Sequence, residues 1–131
     1  MEINVLEERG RVPVTIFKLA GRINMGNADQ LIERARQAQL NGMRNLILDL
    51  GEVESMTSVG LRAMIEIYKL LASPQASPGE AASAEAAGKA ERSPYLKLLD
   101  PSADLRRMLE VAGFTSYFEI FDDRDAAIRS F

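Results

Sequence analysis

The chain has 131 residues, of which 47% are hydrophobic and 27% charged, so wholesale disorder and fibrous repeats are excluded and a packed core is expected. Sixteen basic and nineteen acidic side chains give a net charge of -3, which disfavours binding to nucleic acid or anionic lipid. Cysteine and histidine are absent, which removes disulfides, thiolate nucleophiles and the side chain that most often transfers protons in enzymes. No apolar run approaches the ~20 residues that span a bilayer, and the first residues lack a signal peptide's apolar block. We therefore expect a cytoplasmic, non-enzymatic protein without membrane insertion.

The first part of the chain predicts a strand pair, a helix and a buried strand. Apolar residues from Ile3 to Leu6, and their alternation from Val12 to Ile23, predict two strands of a hairpin. Asn27 and Gln30 have the spacing of a capping box at a helix start. The short apolar run from Asn45 to Leu50 then predicts the central strand, buried on both faces.

The middle of the chain predicts a loop, a helix and an insertion. Residues 51–58 are expected to form a loop, and apolar residues at helical spacing predict a helix from Val59 to Ala72. Residues 73–94 are rich in Ala, Ser, Pro and Glu and contain no bulky apolar side chain. This composition favours a flexible insertion over the alternative, a short exposed helix from Glu80 to Arg92.

The last part of the chain predicts two strands, each followed by a helix. The strand from Tyr95 to Asp100 is followed by a helix that Asp100 caps, with Pro101 at its first position and Gly113 at its end. A further strand from Tyr117 to Phe121 precedes a short final helix. The predicted order is β-β-α-β-α-β-α-β-α, which corresponds to a mixed sheet with helices packed against it.

Carboxylates near the central strand are candidates for a metal or catalytic site. Asp49 lies at the predicted end of this strand, and Glu52 and Glu54 follow in the expected loop. No other fixed oxygen ligand is identified beside them, and loop carboxylates are usually solvated. We expect no metal, no cofactor and no catalytic residue. The predicted opening hairpin also disfavours the fold of a phosphorelay receiver, which likewise places an aspartate at the end of a strand.

The segment SMTSVGLRAM, residues 55–64, places three hydroxyl side chains directly before a helix. A helix N-cap accounts for one of them. Gly60 in the first turn lowers helix propensity by up to ~1 kcal/mol, which favours close approach of another backbone, as at a contact surface. A phosphate here would lie at the positive end of the helix macrodipole, so the segment suits a phosphorylation switch.

Three segments in this order resemble the STAS domain, the module of anti-sigma factor antagonists that also occurs at the tails of sulphate transporters. They are LAGRI, NLILDLGEVESMTSVGLRAM and DPSADLRRMLEVAGF. The resemblance implies an α/β STAS fold with a mixed sheet of four to five strands and about four helices. It also implies a single domain over residues 1–131, interrupted by the insertion at 73–94.

Alignment through Gly60 and Leu61 places the phosphorylated serine of the family on Ser58. The resemblance implies an anti-sigma factor antagonist that, when unphosphorylated, binds an anti-sigma factor with serine-kinase activity. Phosphorylation breaks that complex, and a serine phosphatase restores it.

Two residues depart from the family signature, because Thr57 replaces an aspartate and Val59 replaces a small residue. Thr57 is therefore an alternative phosphate acceptor, and a constitutive binding surface is a further alternative. A different partner is also compatible with the signature: a STAS subunit of a lipid or anion transporter, which docks on its ATPase without phosphorylation.

The contact surface implied by the resemblance lies around the start of the second helix. Met25 and Met56 are the ambiguous members, since a methionine at either position is an adaptable contact or a core residue. The implied partner-binding residues are Met25, Glu54, Ser55, Met56, Thr57, Ser58, Val59 and Arg62.

Overall fold

The computed structural model describes residues 2–72 and 95–131, so the insertion predicted at 73–94 lies outside the described residues. The strands are β1 (Glu2–Arg9), β2 (Pro13–Ile23), β3 (Leu46–Met56), β4 (Leu96–Leu99) and β5 (Glu119–Phe121). The helices are α1 (Ala28–Leu40), α2 (Ser58–Ala72), α3 (Ala103–Val111) and α4 (Arg124–Arg129), with a 3-10 turn at Phe114–Ser116.

The five described strands form one mixed sheet in the order β1-β2-β3-β4-β5. The β1–β2 hairpin is antiparallel, and β2 to β5 pair in parallel. The predicted element order and the central position of β3 are confirmed. Because β2, β3 and β4 run in parallel, the segments that follow them emerge at the same edge of the sheet.

Strand β3 continues to Met56, so the loop predicted over residues 51–58 is wrong for most of its length. Its second half pairs with β2 across two register shifts, the second beside Gly21, whose φ is 95°. Val53 and Met56 are buried, whereas Glu52 and Glu54 are exposed. The two shifts place the buried side chains of this half three residues apart instead of two, so apolar periodicity does not distinguish it from a loop.

Helices α1, α2 and α3 cover one face of the sheet and enclose the larger hydrophobic cluster. Phe17, Leu48, Met64 and Phe118 are representative of its buried residues. A smaller cluster lies on the opposite face, beneath α4. Helices thus cover both faces of the sheet. The burial of apolar side chains between helices and sheet is the dominant stabilising term in folding.

The smaller cluster is bordered by a buried lysine. Lys97 is 5% exposed, and its Nζ donates hydrogen bonds to the carbonyl oxygen of Ser130 at 3.0 Å and to its Oγ at 2.8 Å. The same ammonium lies 4.6 Å from the ring centroid of Phe131 and 3.6 Å from Oε1 of Glu119. A buried charge requires such partners, and here they hold the segment that follows α4 against the sheet.

The start of α3 differs from its predicted cap. Ser102, not Asp100, is the N-cap, and its Oγ accepts a hydrogen bond from the Leu105 amide at 3.2 Å. Asp100 has a left-handed backbone with φ 54°, and its amide donates to the carbonyl of Phe121 at 2.7 Å. Pairing with the last residue of β5 therefore directs Asp100 away from the helix. Gly113, with φ 79°, follows the end of α3 as predicted.

We expect Ser102→Ala to lower the free energy of unfolding by about 1 kcal/mol, because the Leu105 amide loses its acceptor. Urea denaturation of the two proteins measures the difference. Asp100→Asn is the matched control, since asparagine tolerates the left-handed backbone, and it should change stability little. A larger loss for Asp100→Asn than for Ser102→Ala would contradict this assignment of the cap.

Candidate functional site

The candidate site forms where β2 and β3 end side by side. Arg22 pairs with Ser55, and Ile23 pairs with Met56, in the last parallel register of the two strands. The amide of Thr57 then donates to the carbonyl of Ile23 at 3.0 Å. Helix α2 begins directly after this bond. The chain turns from strand to helix within one residue, at a point fixed by the neighbouring strand.

The loop between β2 and α1 lies beside this junction and is held by asparagine side chains. Asn27 Oδ1 accepts from the Asn24 amide at 2.9 Å, and Asn27 Nδ2 donates to the carbonyl of Arg22 at 2.8 Å. Asn24 Oδ1 accepts from the Gly26 amide at 2.9 Å. The predicted capping box of Asn27 and Gln30 is wrong, because the Asn27 side chain bonds backward to the loop and makes no cap bond to α1.

Two methionines predicted as partner contacts have different environments. Met25, in the asparagine-held loop, is 80% exposed. Met56, the last residue of β3, is 3% exposed and belongs to the larger hydrophobic cluster. The prediction of a contact by the Met56 side chain is therefore wrong. Met56 faces the core because each of the two register shifts adds one residue to β3, which returns Val53 and then Met56 to the face on which Leu50 is buried.

The remaining residues of the predicted surface are exposed. Ser58 is the first residue of α2, and Val59 beside it is 37% exposed. No acidic residue occupies the first turn of α2. An added negative charge on this turn would thus meet no neighbouring carboxylate of its own turn and would be favoured by the helix macrodipole. The other exposed members are Glu54, Ser55, Thr57 and Arg62.

Gly60 allows α2 to approach the end of β2. A Cβ at this position would lie 2.5 Å from Cγ of Met56, 2.9 Å from Cγ2 of Ile23 and 3.3 Å from the carbonyl oxygen of Ile23. The predicted close approach is real, but it occurs inside the molecule. Gly60 is buried and packs the helix start onto the strand ends, so it does not provide contact surface for a partner.

A groove of about 430 Å³ runs between α1 and α2 next to Ser58. Arg36 and Glu33 on α1 form an ion pair at 3.0 Å, with Arg36 Nη1 donating to Glu33 Oε2. Arg62 on α2 forms no hydrogen bond or ion pair with any residue of 2–72 or 95–131. The groove is lined by Ala28, Asp29, Ile32, Glu33, Arg36, Val59, Arg62, Ala63 and Glu66.

The profile of the STAS domain family matches residues 5–76, which is more than half of the chain. The chain belongs to the STAS domain family. BtrV of Bordetella bronchiseptica, described as an anti-sigma factor antagonist, is 32% identical to it over 114 residues, covering 86% of this chain and 82% of BtrV. The resemblance inferred from the sequence is confirmed.

Solved structures of anti-sigma factor antagonists have the same fold. One from Mycobacterium paratuberculosis gives a TM-score of 0.67 at 20% identity and covers 97% of this chain and 92% of that chain. SpoIIAA in its unphosphorylated form gives 0.66 at 15% identity, covering 95% of this chain and 93% of its own. Bacillus SpoIIAA in its phosphorylated form gives 0.60 at 16% identity, covering 98% of this chain and 100% of its own. The predicted α/β STAS fold is confirmed.

Two of the three carboxylates considered near β3, Asp49 and Glu52, have local partners in this STAS domain. Asp49 Oδ1 accepts from the Gly51 amide at 3.0 Å, and Glu52 lies 3.7 Å from Lys18 Nζ. Within the described part of the chain, no three Asp, Glu, His or Cys side chains are grouped as metal ligands. No helix in the same ranges is long and apolar enough to cross a membrane.

The α1 side of the groove was not predicted from the sequence. Glu33 and Arg36 have the i, i+3 spacing of a helical ion pair, and this is a signal that the sequence offered. It gives no indication that α1 packs beside α2, because that arrangement depends on the order of the strands. The groove of the STAS domain is thus a property of the tertiary structure, which local sequence patterns do not encode.

We expect Gly60→Ala to destabilise the STAS domain by about 1–3 kcal/mol, because the new methyl group overlaps Met56 and Ile23. This outcome opposes helix propensity, which favours alanine over glycine by up to about 1 kcal/mol. Chemical denaturation of wild type and variant measures the change.

A double-mutant cycle with Met56→Ala identifies the cause of the Gly60→Ala effect. Since Met56 supplies the nearest atom, Gly60→Ala should be less destabilising in the Met56→Ala background than in wild type. Stabilisation by Gly60→Ala in the wild-type background would show that the helix start is not tightly packed.

Proposed function

We propose that this STAS domain is a cytoplasmic, non-catalytic anti-sigma factor antagonist. It binds an anti-sigma factor that has serine-kinase activity, phosphorylation of Ser58 ends this binding, and a serine phosphatase restores it. The observation that carries the proposal is the exposed position of Ser58 on the first turn of α2, next to a strand junction with a fixed backbone. No cofactor is required.

A phosphate on Ser58 would change the surface more than the fold. It adds about -1.5 to -2 charges at pH 7. The positive end of the α2 dipole favours such a charge, and no carboxylate occupies the first turn. The domain would therefore stay folded while a partner's contact with this turn is disrupted by repulsion and desolvation. SpoIIAA, which shares the fold, is described in both unphosphorylated and phosphorylated forms.

The exposed side chains around Ser58 are suited to contact with a protein. Met25 projects from a loop fixed by hydrogen bonds, and Val59 offers a second apolar contact on α2. Methionine adapts to the shape of a partner, and a fixed backbone lowers the entropy lost on binding. Together with Glu54, Ser55, Thr57 and Arg62, these residues form the partner surface that we propose.

The switch predicts that Ser58→Asp weakens binding to the anti-sigma factor kinase encoded by the source organism by about 30-fold or more, equivalent to roughly 2 kcal/mol. Ser58→Ala, which keeps the size but cannot be phosphorylated, should bind like wild type. Calorimetric titration of the purified kinase with each protein measures these affinities. Equal affinity of Ser58→Asp and wild type for the kinase would refute the switch.

The phosphate acceptor can be identified in the same system. Incubation with the kinase and ATP, followed by mass spectrometry of the peptide that spans β3 and α2, should show phosphate on wild type and Thr57→Val but not on Ser58→Ala. Phosphate on Ser58→Ala but not on Thr57→Val would move the acceptor to Thr57. Binding of a transporter ATPase by all variants, without phosphate on any, would support the transporter-subunit alternative.

Met25 provides a test of the binding surface that does not depend on phosphorylation. We expect Met25→Ser to weaken kinase binding about tenfold while changing the free energy of unfolding by less than about 0.5 kcal/mol, because the side chain is exposed. Val111→Ser on α3 is the matched control, since Val111 is 84% exposed and distant from Ser58 in the chain. Equal effects of the two substitutions on affinity would remove Met25 from the proposed surface.

A further inference from the structure

We infer that Arg62 binds the phosphate of phosphorylated Ser58 within the same molecule. This inference rests on the proposed phosphorylation of Ser58 and gives that switch a receptor inside the domain. This role of Arg62 differs from a simple contact with the partner, because the guanidinium would change its binding partner when Ser58 of the same helix is phosphorylated.

The first support is the position of the two residues on α2. Ser58 and Arg62 are four residues apart in a continuous helix, so their side chains lie on the same face, one turn from each other. The acidic group would precede the basic group in the chain, which is the more favourable order for a pair at this spacing. A guanidinium also matches a phosphate geometrically, since it donates two parallel hydrogen bonds.

The second support is that Arg62 has no partner in the described structure, whereas the other arginine of the groove does. Arg36 is paired with Glu33 at 3.0 Å. Arg62 lies in the same groove without an ion pair or hydrogen bond in the ranges 2–72 and 95–131. Glu66 follows Arg62 by one turn but does not pair with it, in keeping with the weaker basic-before-acidic order.

The contact would change the charge of the groove as well as that of the helix start. Three acidic side chains, Asp29, Glu33 and Glu66, and two basic ones, Arg36 and Arg62, line the groove. Because Arg36 is already paired with Glu33, Arg62 is the cation available to a carboxylate of a partner. Phosphorylation would occupy that cation, so the Arg62 charge would no longer be available to a partner at the groove.

The test uses the full chain carrying phosphoserine at position 58, in wild-type form and with Arg62→Gln. The second pKa of phosphoserine is about 6. A neighbouring guanidinium stabilises the dianion and lowers this pKa, whereas Asp29, Glu33 and Glu66 raise it. We expect the phosphate pKa, measured by 31P NMR titration, to be higher by about 0.3 unit or more in the Arg62→Gln variant.

Two further variants separate a specific contact from the loss of one positive charge. Arg36→Gln should change the phosphate pKa by less than about 0.1 unit, because Arg36 is held by Glu33 on the opposite helix. Arg62→Lys should retain part of the shift, since an ammonium is a point charge without the paired donors. Equal shifts for Arg36→Gln and Arg62→Gln, or no shift for Arg62→Gln, would overturn the inference.

These measurements require neither the kinase nor any partner, so the two proposals can fail separately. If phosphorylated Ser58 leaves kinase binding unchanged while Arg62 still lowers the phosphate pKa, the antagonist switch fails and the intramolecular contact stands. If kinase binding is lost on phosphorylation but the pKa is the same with and without Arg62, the switch stands and the role of Arg62 is excluded.

Discussion

Parallel pairing of β2 with β3 extends from Thr15 opposite Leu46 to Ile23 opposite Met56, and the candidate site is built on its carboxyl end. The bond from the Thr57 amide to the Ile23 carbonyl continues this pairing to the last residue before α2. The loop after β2 and the helix after β3 are thereby brought side by side. Without this register Met25 and Ser58 would not belong to one surface.

Close packing at Gly60 adds a second constraint at the same point. The helix start presses against Ile23 and Met56, so α2 cannot shift relative to the strand ends without disturbing buried atoms. Ser58 and Val59 consequently occupy fixed positions although their side chains are exposed. A surface with a rigid backbone loses little conformational entropy when a partner binds, which supports the proposed control of affinity by phosphorylation of Ser58.

Most of the fold could be predicted from the sequence, since compact apolar runs, helical spacing and turn residues each mark an element locally. The second half of β3 could not, because its polar residues face water from a strand and resemble those of a loop. Because residues 51–58 were predicted as a loop, the sequence did not decide whether the Met56 side chain is exposed or buried. Ser58 was located by its motif, whereas the groove beside it depends on the packing of α1 on α2, which no local pattern encodes. The predicted side-chain cap bonds of Asn27 and Asp100 do not form: the Asn27 side chain bonds to the preceding Arg22 carbonyl, and the Asp100 amide bonds to the carbonyl of Phe121.

The two hydrophobic clusters lie on opposite faces of the sheet, and the contacts that hold α4 belong to the smaller one. Lys97 on β4 holds the end of α4 against the sheet through its contacts with Ser130 and Phe131, and neither α1 nor α2 takes part in these contacts. Local opening of α4 would therefore break the contacts of Lys97 with Ser130 and Phe131. It would expose Val14, Ile47 and Leu99 to solvent while the opposite face of the sheet stays packed. The proposed recognition surface and the cover formed by α4 therefore lie on different sides of the sheet, so α4 can open while α1 and α2 stay in place.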